Sequence, residues 1–600
     1  MNNFLLFPPQ WSPLSPHFAL TSIAAHLRQN NHKVEIRDLN IEFYNYVLTP
    51  EYLRTSLEKT FDMEQELKDT VSKEYSLDNL EYPPEFHINA KKFLKINELR
   101  EKKFDEIIDV LKLLPFAVKV MKDKKDFYSL NLLSRAFIIL DKALNMLSLP
   151  YYPAELSLHD YINPALKFCF QDMKNYCLNE SQNMFYNFYN EIIPSIIEKK
   201  PDYIGISIGA YSQVIPGLTL AAILKCRTKA HINIGGNYFS RVINAFYKNP
   251  EFFEIFAHSI IVEEGEKPVI ELLEYLKGQL DIKQVSSLIY LENNEVKVNP
   301  KNYPLKLNEM ITQDLEGFCF EKYLMPEIVL PIQASRGCYW KKCTFCDHDF
   351  GQTYNIKDIN KLVNEIKELN EKFGISYFEF IDEAINANYL KNFSEKILES
   401  GLKINWYCNA RLETSLTKDI LKLARQAGLR MILWGLESGS DRIMELINKG
   451  IDIDKRLEIL RDAKEADIWN FAYIFFGFPT ETKQDAFDTI DIICQNTDII
   501  SAYGRSRFSL GKHALIKNDP EKFGIIKLSE EEEEFSSNCS YKASLGLTNN
   551  ELDEIIDYFT RKSIKSYNNP VWMYIRYRET LFLYICKYGI ETVKRIKMPF

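Results

Sequence analysis

The sequence predicts an α/β protein in which a doubly wound strand–helix layer precedes a βα barrel and a helical C-terminal tail. Two observations carry this prediction. Short apolar segments alternate with amphipathic helical segments in two separate stretches of the chain, as parallel sheets require. In the second stretch, clusters of polar residues fall at the ends of the predicted strands, where barrels of this type place their functional groups.

The first stretch is split by a long insertion. Its segments are a strand at 4–7, a loop with Pro8 and Pro9, a helix at 16–29, and further strands at 33–38, 202–209, 231–236 and 259–262. We therefore assign residues 1–43 and 201–290 to one Rossmann-like domain. Ligands of such a sheet are expected at the carboxyl ends of its strands.

The inserted residues 44–200 are predicted to be mostly helical, with heptad-like apolar spacing near 104–111. A packed helical cap, a lid, a substrate platform and a partner-binding module all remain open. Residues 291–330 are assigned to a linker and residues 516–600 to a helical C-terminal region. The acidic run at 530–534 is expected to be a solvated helix start or a loop.

Residues 331–515 carry the barrel pattern. A helix is predicted at 359–372, and strands are predicted at 375–381, 404–411, 431–439 and 471–476. Polar or turn-forming residues at or just beyond the strand ends are Asp382, Asn409, Arg411, Glu437, Ser438, Arg442, Gly477 and Pro479.

Composition limits the classes of function. The chain has 600 residues, 46% of them hydrophobic, which is enough for several domain cores. A net charge of −9 argues against a nucleic-acid partner. We expect no membrane association, because no apolar run reaches spanning length and the N-terminus lacks a cleavable signal. An odd number of cysteines, 11, fits a reducing cytoplasm.

Three cysteines lie close together in the sequence, at Cys338, Cys343 and Cys346, and no fourth follows at ligand spacing. Three thiolates on one loop can hold three irons of a four-iron, four-sulfur (4Fe–4S) cluster and leave one iron without a protein ligand. Electron-transfer clusters normally have four cysteines. A structural zinc site with His348 as fourth ligand is the alternative, although zinc sites usually pair two knuckles and no second Cys-x2-Cys pair exists. The absence of any metal is a third interpretation.

The cysteine loop, with Phe345 before its last cysteine, and the strand-end motifs after it resemble the radical S-adenosylmethionine (SAM) enzymes over residues 331–515. The resemblance implies that these residues form a partial (β/α)6 barrel. The usual spacing in that family is Cys-x3-Cys-x2-Cys, whereas the first gap here is one residue longer. The resemblance implies that the three cysteines bind a 4Fe–4S cluster whose open iron binds SAM. One electron from the cluster would then cleave SAM to methionine and a 5′-deoxyadenosyl radical.

The same resemblance implies SAM contacts along the barrel. Asp382 would accept from the amino group or ribose, and Asn409 and Arg411 would donate to a carboxylate or ribose. Glu437 would contact the ribose or methionyl group, and Ser438 would offer a hydroxyl to SAM beside it. The remaining implied contacts are Arg442, for the carboxylate, and Gly477 and Pro479, for the adenine pocket.

The N-terminal layer resembles the cobalamin-binding domain that precedes the barrel in one branch of these enzymes. The matching residues are Pro8, Pro9, Ser207 to Tyr211, Gly235, Gly236, Glu264, Gly265 and Glu266. The Asp-x-His-x-x-Gly signature of other cobalamin proteins is absent, as it is in many radical SAM relatives. A layer that binds nothing and only docks on the barrel is the alternative.

These resemblances imply an enzyme that transfers a methyl group through cobalamin to an unactivated carbon under anaerobic conditions. No residue is assigned as acid or base, since the radical abstracts the hydrogen. Alternatives are a radical rearrangement, cyclisation or peptide maturation without methyl transfer, and a non-enzymatic metal-binding scaffold. Expected partners are a small-molecule or peptide substrate and an electron donor such as flavodoxin or ferredoxin.

Overall fold

The computed structural model describes residues 1–75, 81–301, 305–347, 353–529, 532–575 and 577–596. The chain divides into two compact units. The first comprises Met1–Asn302, Asp314–Glu327 and Glu533–Phe535, and the second comprises Tyr303–Gln313, Ile328–Glu532 and Ser536–Phe600.

The first unit is built on a seven-stranded sheet and a separate two-stranded ribbon. Its strands are β1 (Asn3–Phe7), β2 (Val34–Asp38), β3 (Glu155–Leu156), β4 (Tyr161–Ile162), β5 (Tyr203–Ser207), β6 (His231–Gly235), β7 (Ser259–Ile261), β8 (Leu288–Glu292) and β9 (Glu295–Val298). The sheet order is β2-β1-β5-β6-β7-β8-β9, and β3 and β4 form the ribbon. The pairs from β2 to β7 are parallel, whereas β8 and β9 are antiparallel.

Fifteen α-helices accompany these strands in the described part of the first unit. They are α1 (Phe18–Gln29), α2 (Leu39–Val47), α3 (Pro50–Asp62), α4 (Glu64–Glu74), α5 (Pro84–Lys102), α6 (Phe104–Lys122), α7 (Lys124–Phe127), α8 (Leu130–Ser148), α9 (Phe170–Leu178), α10 (Phe185–Ile197), α11 (Tyr211–Arg227), α12 (Asn237–Ser240), α13 (Ile243–Lys248), α14 (Phe252–Ile255) and α15 (Glu266–Leu276). Helices α3 to α10 occupy the range predicted as a helical insertion, together with the ribbon, which the sequence did not indicate.

Burial explains why the N-terminal layer could be predicted. Every residue of β1 is buried, as expected for a central parallel strand covered on both faces. On one face, Leu20, Ala24 and Leu27 of α1 join a core cluster with Leu272 of α15. The amphipathic pattern of the helices and the apolar runs of the strands therefore arise from the same core, which lies between the helices and the sheet.

The second unit contains a six-stranded parallel sheet and two small antiparallel sheets. Its strands are β10 (Val329–Ile332), β11 (Ser335–Arg336), β12 (Asn355–Ile356), β13 (Tyr377–Phe380), β14 (Asn405–Ala410), β15 (Leu429–Glu437), β16 (Trp469–Phe476), β17 (Ala502–Arg507), β18 (Leu510–Gly511), β19 (Ile525–Ser529) and β20 (Asn538–Ala543). The parallel order is β10-β13-β14-β15-β16-β17. Within the described residues β10 does not pair with β17, so the sheet is the open, partial barrel that the sequence predicts.

The helices of the second unit follow its strands. They are α16 (Ile359–Phe373), α17 (Ala387–Ser400), α18 (Lys418–Gln426), α19 (Asp441–Leu446), α20 (Arg456–Glu465), α21 (Lys483–Gln495), α22 (Asn549–Ser566), α23 (Arg578–Tyr588) and α24 (Ile590–Arg595). In the described ranges no helix is both long and apolar enough to cross a membrane.

Two segments differ from the sequence prediction. Glu295–Val298, in the predicted linker, is strand β9. It forms a hairpin with β8 because Asn293 and Asn294 both take positive φ, 49° and 62°, as a type I′ turn requires. In the predicted helical C-terminal region, β19 and β20 pair antiparallel before the helices begin. Of the acidic run, residues 530 and 531 lie outside the described residues, and the rest is in a turn.

Candidate functional site

The three cysteines lie between β11 and β12, in the connection that follows the carboxyl end of β10. Cys338, Cys343 and Cys346 are half-buried and form no disulfide. Gly337 and Lys341 turn this loop with positive φ values of 72° and 56°. The three thiols that the sequence places on one loop therefore lie at the carboxyl edge of the barrel strands, where barrels of this type place their functional groups.

The donor set is consistent with a cluster. Among the described residues, no three His, Cys, Asp or Glu side chains come together as ligands of a single metal ion. In an iron–sulfur cluster each thiolate binds a different iron, so the sulfurs need not converge on one point. His348, the alternative zinc ligand, lies outside the described residues.

Residues 446–450, which we call the clamp segment, are hydrogen-bonded to the cysteine loop. Four hydrogen bonds join the two segments. They run from Thr344 N to Ile447 O (2.9 Å), from Thr344 Oγ1 to Leu446 O (2.9 Å), from Trp340 Nε1 to Asn448 O (2.9 Å) and from Asn448 Nδ2 to Lys342 O (3.1 Å). Backbone of the loop is thus fixed by a segment more than 100 positions away.

Trp340 is enclosed between the clamp segment and Arg411. The Arg411 guanidinium lies 4.1 Å from the centre of the Trp340 ring, a cation–π distance. A Cβ at Gly450, which has φ 67°, would overlap the indole. Arg411 also pairs with Glu413 at 2.5 Å and donates to the carbonyl of Lys449. The buried arginine predicted to contact SAM therefore touches the cysteine loop, and its role toward SAM stays a prediction.

A buried ion pair borders Cys343. Glu437 ends β15 with φ 63°, and its Oε1 accepts a hydrogen bond from Lys449 Nζ at 2.7 Å. Burial raises the pKa of the Cys343 thiol, while the charges of Lys449 and Arg411 oppose this rise. Nearby cations favour the thiolate that iron requires. Sequence reasoning missed Lys449, because no motif links it to a glutamate on the other side of α19.

Asp382 supports the start of the cysteine loop. Its carboxylate accepts hydrogen bonds from Ala334 N (3.2 Å), from Ser335 Oγ (2.6 Å) and from Ser335 N. Burial raises the pKa of Asp382 to about 6, and these hydrogen bonds oppose the rise. Asn409, on the next strand, donates to Asp382 O at 2.9 Å and is half-buried. Asp382 and Asn409, both predicted to contact SAM, are therefore brought together at the carboxyl edge of the sheet.

Ser438 and Arg442 follow β15 and contact the helix α21. Ser438 is fully buried, and its Oγ lies 3.0 Å from Thr489 Oγ1. Arg442 pairs with Asp485 and donates to Thr480 O at 2.8 Å. Burial alone would raise the pKa of Asp485, but hydrogen bonds from Arg442 and its other neighbours hold it well below its usual range.

Gly477 and Pro479 form the turn after β16. Gly477 has φ 87°, and its N–H donates to the carboxyl of Glu481. Pro479 is buried. Burial raises the pKa of Glu481 to about 7, and Glu481 Oε1 has no hydrogen-bond partner among the described residues. The turn with Gly477 and Pro479, which the resemblance assigns to an adenine pocket, therefore also contains the buried carboxyl of Glu481. The sequence analysis did not name Glu481 as a site residue.

The first unit has a second candidate site at the carboxyl edge of its parallel strands. Pro8 and Pro9 follow β1, Ser207 and Gly235 end β5 and β6, Gly236 follows β6, and Glu264 and Gly265 follow β7. The order in which the chain adds strands reverses between β1 and β5, because β2 lies on one side of this pair and β6 on the other. Doubly wound sheets bind ligands at such switch points.

Two contacts keep this edge compact. Buried Gln213 donates to Pro8 O at 2.8 Å and accepts from Gly209 N at 3.0 Å, which ties the loops after β1 and β5. Gly236, with φ 108°, lies so close to Ile208 that a Cβ would overlap its carbonyl. At Gly235 a Cβ would meet only a carbonyl oxygen, at 3.7 Å. The edge therefore presents backbone rather than bulky side chains at β6.

Comparison with known proteins identifies the class of the barrel. Residues 332–493 match the Radical SAM superfamily. The chain thus carries a radical SAM domain, and the predicted family is confirmed over the partial barrel and its cysteine loop.

Two curated relatives and one solved structure extend the comparison. An uncharacterized methyltransferase of Pyrococcus horikoshii is 26% identical, with 50% of this chain and 65% of that protein covered. An anaerobic magnesium-protoporphyrin IX monomethyl ester cyclase of Cereibacter sphaeroides is 24% identical, with 51% of each covered. The chain spans about half to two thirds of these relatives.

The solved structure of the radical SAM methyltransferase TsrM from Kitasatospora setae, with cobalamin and a 4Fe–4S cluster bound, has a TM-score of 0.53 at 13% identity. It covers 87% of this chain, and 78% of the TsrM chain is covered. Because the match is far longer than the barrel, the likeness in fold extends into the N-terminal unit. The predicted fold class, a Rossmann-like unit followed by a radical SAM barrel, is confirmed.

Proposed function

We propose that this chain is a cytoplasmic radical SAM enzyme that binds cobalamin in its first unit and methylates an unactivated carbon of a small-molecule or peptide substrate. The observation that carries the proposal is the loop of three thiols at the carboxyl edge of an open six-stranded barrel. A nucleic-acid partner is not part of the proposal, and an external protein such as flavodoxin or ferredoxin supplies electrons.

Cys338, Cys343 and Cys346 would hold the cluster. When bound, the cluster supplies the electron that cleaves SAM. The protein's part is to orient the thiolates and the SAM. Arg411 and the clamp segment hold the loop, and the side chains of Glu437 and Lys449 neutralise each other beside it. Asn409, at the end of the neighbouring strand, is half-buried and supplies a polar group for SAM.

Support for cobalamin comes from the edge of the first unit. The loop of Pro8 and Pro9 and the ends of β5, β6 and β7 lie along one edge, and Gly235 leaves space above β6. A large, flat ligand needs such close approach to backbone. The name of the methyltransferase relative and the cobalamin bound in the TsrM structure favour methyl transfer.

A first experiment tests the cluster and SAM cleavage. Anaerobic reconstitution with iron and sulfide is expected to give a four-iron absorbance band in the wild type and not in Cys343→Ala. Addition of SAM and dithionite should release 5′-deoxyadenosine. The matched control is Cys226→Ala, since Cys226 is exposed and far along the chain from the loop. Zinc retention with no 5′-deoxyadenosine from the wild type would overturn the proposal.

A second candidate function keeps the radical and omits methyl transfer. The cyclase relative favours it, because a cyclase closes a ring. Reconstitution with hydroxocobalamin and SAM labelled on its methyl group separates the two functions. Methyl transfer predicts bound cobalamin and a labelled methyl group in a product formed in cell extract. Cleavage of SAM with no label in any product selects the rearrangement, cyclisation or peptide-maturation alternative.

A further inference from the structure

The first residue of helix α23 approaches two distant strands of the barrel sheet. Arg578 donates a hydrogen bond to Tyr473 Oη on β16 at 2.5 Å, and its Nη2 lies 3.9 Å from Glu379 Oε1 on β13. Strands β14 and β15 separate β13 from β16, which would place them about 14 Å apart in a flat sheet. One guanidinium can therefore approach both strands only on the concave face of the sheet.

Tyr407 lies on the same concave face, because it pairs in register with Glu379. Tyr407 is buried, and its hydroxyl has no hydrogen-bond partner among the described residues. Asn409, a predicted SAM contact, is two positions further along β14 and therefore also faces the concave side. We call Glu379, Tyr407, Tyr473 and Arg578 the lumen cluster. It lies directly below the carboxyl edge that carries the predicted SAM contacts.

The packing of α23 does not account for these polar groups. Residues 580–585 of the helix are all buried, and the Phe582 ring lies 5.0 Å from the Tyr407 ring. Apolar contacts therefore already hold the helix against the sheet. In contrast, the side chain of Arg578 is 40% exposed and that of Glu379 is 18% exposed. Both charged side chains thus border solvent-accessible space in the concave side of the barrel.

Arg578 and Glu379 stand next to each other without a direct hydrogen bond. Their separation of 3.9 Å exceeds hydrogen-bond length, and the bond to Tyr473 is the one that the Arg578 side chain donates within the described ranges. Burial raises the pKa of Glu379 to about 7, helped by the charge of Glu579 and opposed by Arg578 and the nearby Tyr407 hydroxyl. Guanidinium donors and a carboxyl group are therefore available side by side to a ligand.

We propose that the lumen cluster binds the amino-acid end of the substrate, a carboxylate next to a protonated amine. This inference rests on the proposed function, because it names the class of substrate that the barrel receives. Arg578 and the Tyr407 hydroxyl would donate to the carboxylate, and Glu379 would accept from the ammonium group. A ligand with only one of the two groups would leave a charge of the cluster without a partner, so both groups are required.

A series of ligands tests this chemical class on the wild type, without any substitution. Each common amino acid is titrated calorimetrically into the reconstituted enzyme, beside its N-acetyl derivative and its amide. Saturating SAM is present, so that the amino acids do not occupy the SAM site. We expect at least one amino acid to bind and both of its derivatives to bind about tenfold more weakly or worse. Binding of none, or equal binding of the derivatives, would overturn the proposal.

Substitutions test where the amino acid binds. Arg578→Gln and Glu379→Gln should each weaken binding about tenfold or more, because each removes a charge-assisted interaction. Tyr407→Phe, which keeps the ring against Phe582, should weaken it about fivefold. This third variant removes only a hydroxyl without a hydrogen-bond partner among the described residues, so its fold is expected to be intact. Wild-type affinity in all three variants would refute the site.

The matched control is Arg505→Gln, on the opposite face of the same sheet. A Cβ at Gly504 would point toward Phe471 and Tyr473, so the next residue faces the other way. Arg505 is exposed and donates to Thr560 on α22 at 3.0 Å. This control should bind the amino acid as the wild type does. An equal loss of affinity in Arg505→Gln and Arg578→Gln would show a general effect of lost charge and would overturn the proposal.

The pH dependence of binding identifies the contact with the amine. The groups that face Glu379 are Tyr407 on β14, Tyr473 on β16, and Arg578 and Glu579 on α23. Because the ammonium group pairs with the ionised carboxylate, affinity should increase from about pH 6 to about pH 8 in the wild type and stay level in Glu379→Gln. A level profile in the wild type would refute this contact.

Binding and turnover separate the two proposals. If no amino acid binds while SAM is cleaved and a labelled product forms, the lumen cluster is refuted and the proposed function stands. If the wild type does not cleave SAM with dithionite, the proposed function is refuted directly.

Discussion

Trp340 lies in the gap between Cys338 and Cys343, which is one residue longer than the usual family spacing. Between Cys338 and Cys343 the chain must fit four residues, and Lys341 makes the necessary reversal with φ 56°. The indole next to it is hydrogen-bonded to Asn448 O at 2.9 Å and stacked on Arg411. The longer gap thus contains a turn with an aromatic anchor.

Replacing Trp340 by alanine should loosen the cysteine loop. The variant loses the stacking on Arg411 and the bond to Asn448, which together contribute about 1–3 kcal/mol to holding the loop. We expect less than half of the wild-type iron per chain after reconstitution, and faster loss of iron to a chelator. Trp340→Phe is the control, because it keeps a ring and loses only the hydrogen bond. Iron retention in Trp340→Ala equal to that of the wild type would contradict the anchoring role.

Glu481 makes stability depend on pH. Burial raises its pKa to about 7, helped by the charge of Asp485 and opposed by Gly477 N–H and the charge of Arg442. Tyr541, whose own pKa is raised to about 12 by burial, also faces it. The folded protein therefore holds a proton that the unfolded chain releases at about pH 4.5. Stability should fall as pH rises from about 4.5 to about 7 and change little from this group above that range.

Glu481→Gln removes this titration. The amide keeps an oxygen for Gly477 N–H and carries no charge, so we expect the variant to be about 1–3 kcal/mol more stable than the wild type at pH 8. At pH 5 the difference should largely vanish. Thermal unfolding midpoints of both proteins across pH 5–8 measure this. Parallel curves for the two proteins would show that Glu481 is not the group responsible.

At the scale of secondary-structure elements, the end of α19 is shaped for contact with the cysteine loop. The helix ends at Leu446, and the clamp segment runs on with its carbonyls directed at the loop. Gly450 follows with φ 67° and no room for a Cβ beside Trp340. Three of the four hydrogen bonds to the loop thus use backbone carbonyls of the segment, which is why no side-chain motif in the sequence revealed it.

Gly450→Ala should disrupt this contact more than backbone strain alone can explain. The positive φ costs about 1 kcal/mol for alanine, and the overlap with Trp340 adds to it. The control is Gly374→Ala, since Gly374 has a similar φ of 70° at the end of α16 with open space around its Cβ position. We expect only Gly450→Ala to lower iron content. Equal losses of thermal stability and full iron content in both variants would rule out the steric effect.

Elements with a strong repeating pattern could be predicted, and those set by pairing at a distance could not. The buried run of β1 and the amphipathic α16 were evident from period alone, whereas β9 depends on an Asn-Asn turn and β20 on pairing with β19. The site divides in the same way. The cysteines lie close together in the sequence, but Arg442 meets Asp485 and Ser438 meets Thr489 only through the fold.

At the scale of the whole molecule, the chain contains two parallel sheets, each with its own candidate ligand edge. In the first unit the edge consists of the loops after β1, β5, β6 and β7, which include Pro8 and Gly265. In the second unit the edge carries the three cysteines. Ligands that bind only the folded state stabilise the unit that holds them, by about 2.7 kcal/mol at a concentration 100 times the dissociation constant. Cobalamin and the cluster should therefore slow amide hydrogen exchange in different parts of the chain.

Hydrogen exchange can resolve these signatures in the intact chain. Hydroxocobalamin, added to the apo-protein, should slow amide exchange at the carboxyl ends of β1, β5, β6 and β7 and leave residues 333–347 unchanged. Cluster reconstitution without cobalamin should do the reverse and also protect the clamp segment, because its bonds to Trp340 and Thr344 tighten with the loop. As a control, Cys343→Ala should keep the cobalamin effect and lose the cluster effect. If cobalamin protects only residues around 333–347, or none, the first unit does not bind cobalamin as proposed. The proposed cleavage of SAM by the barrel would be unaffected by that result.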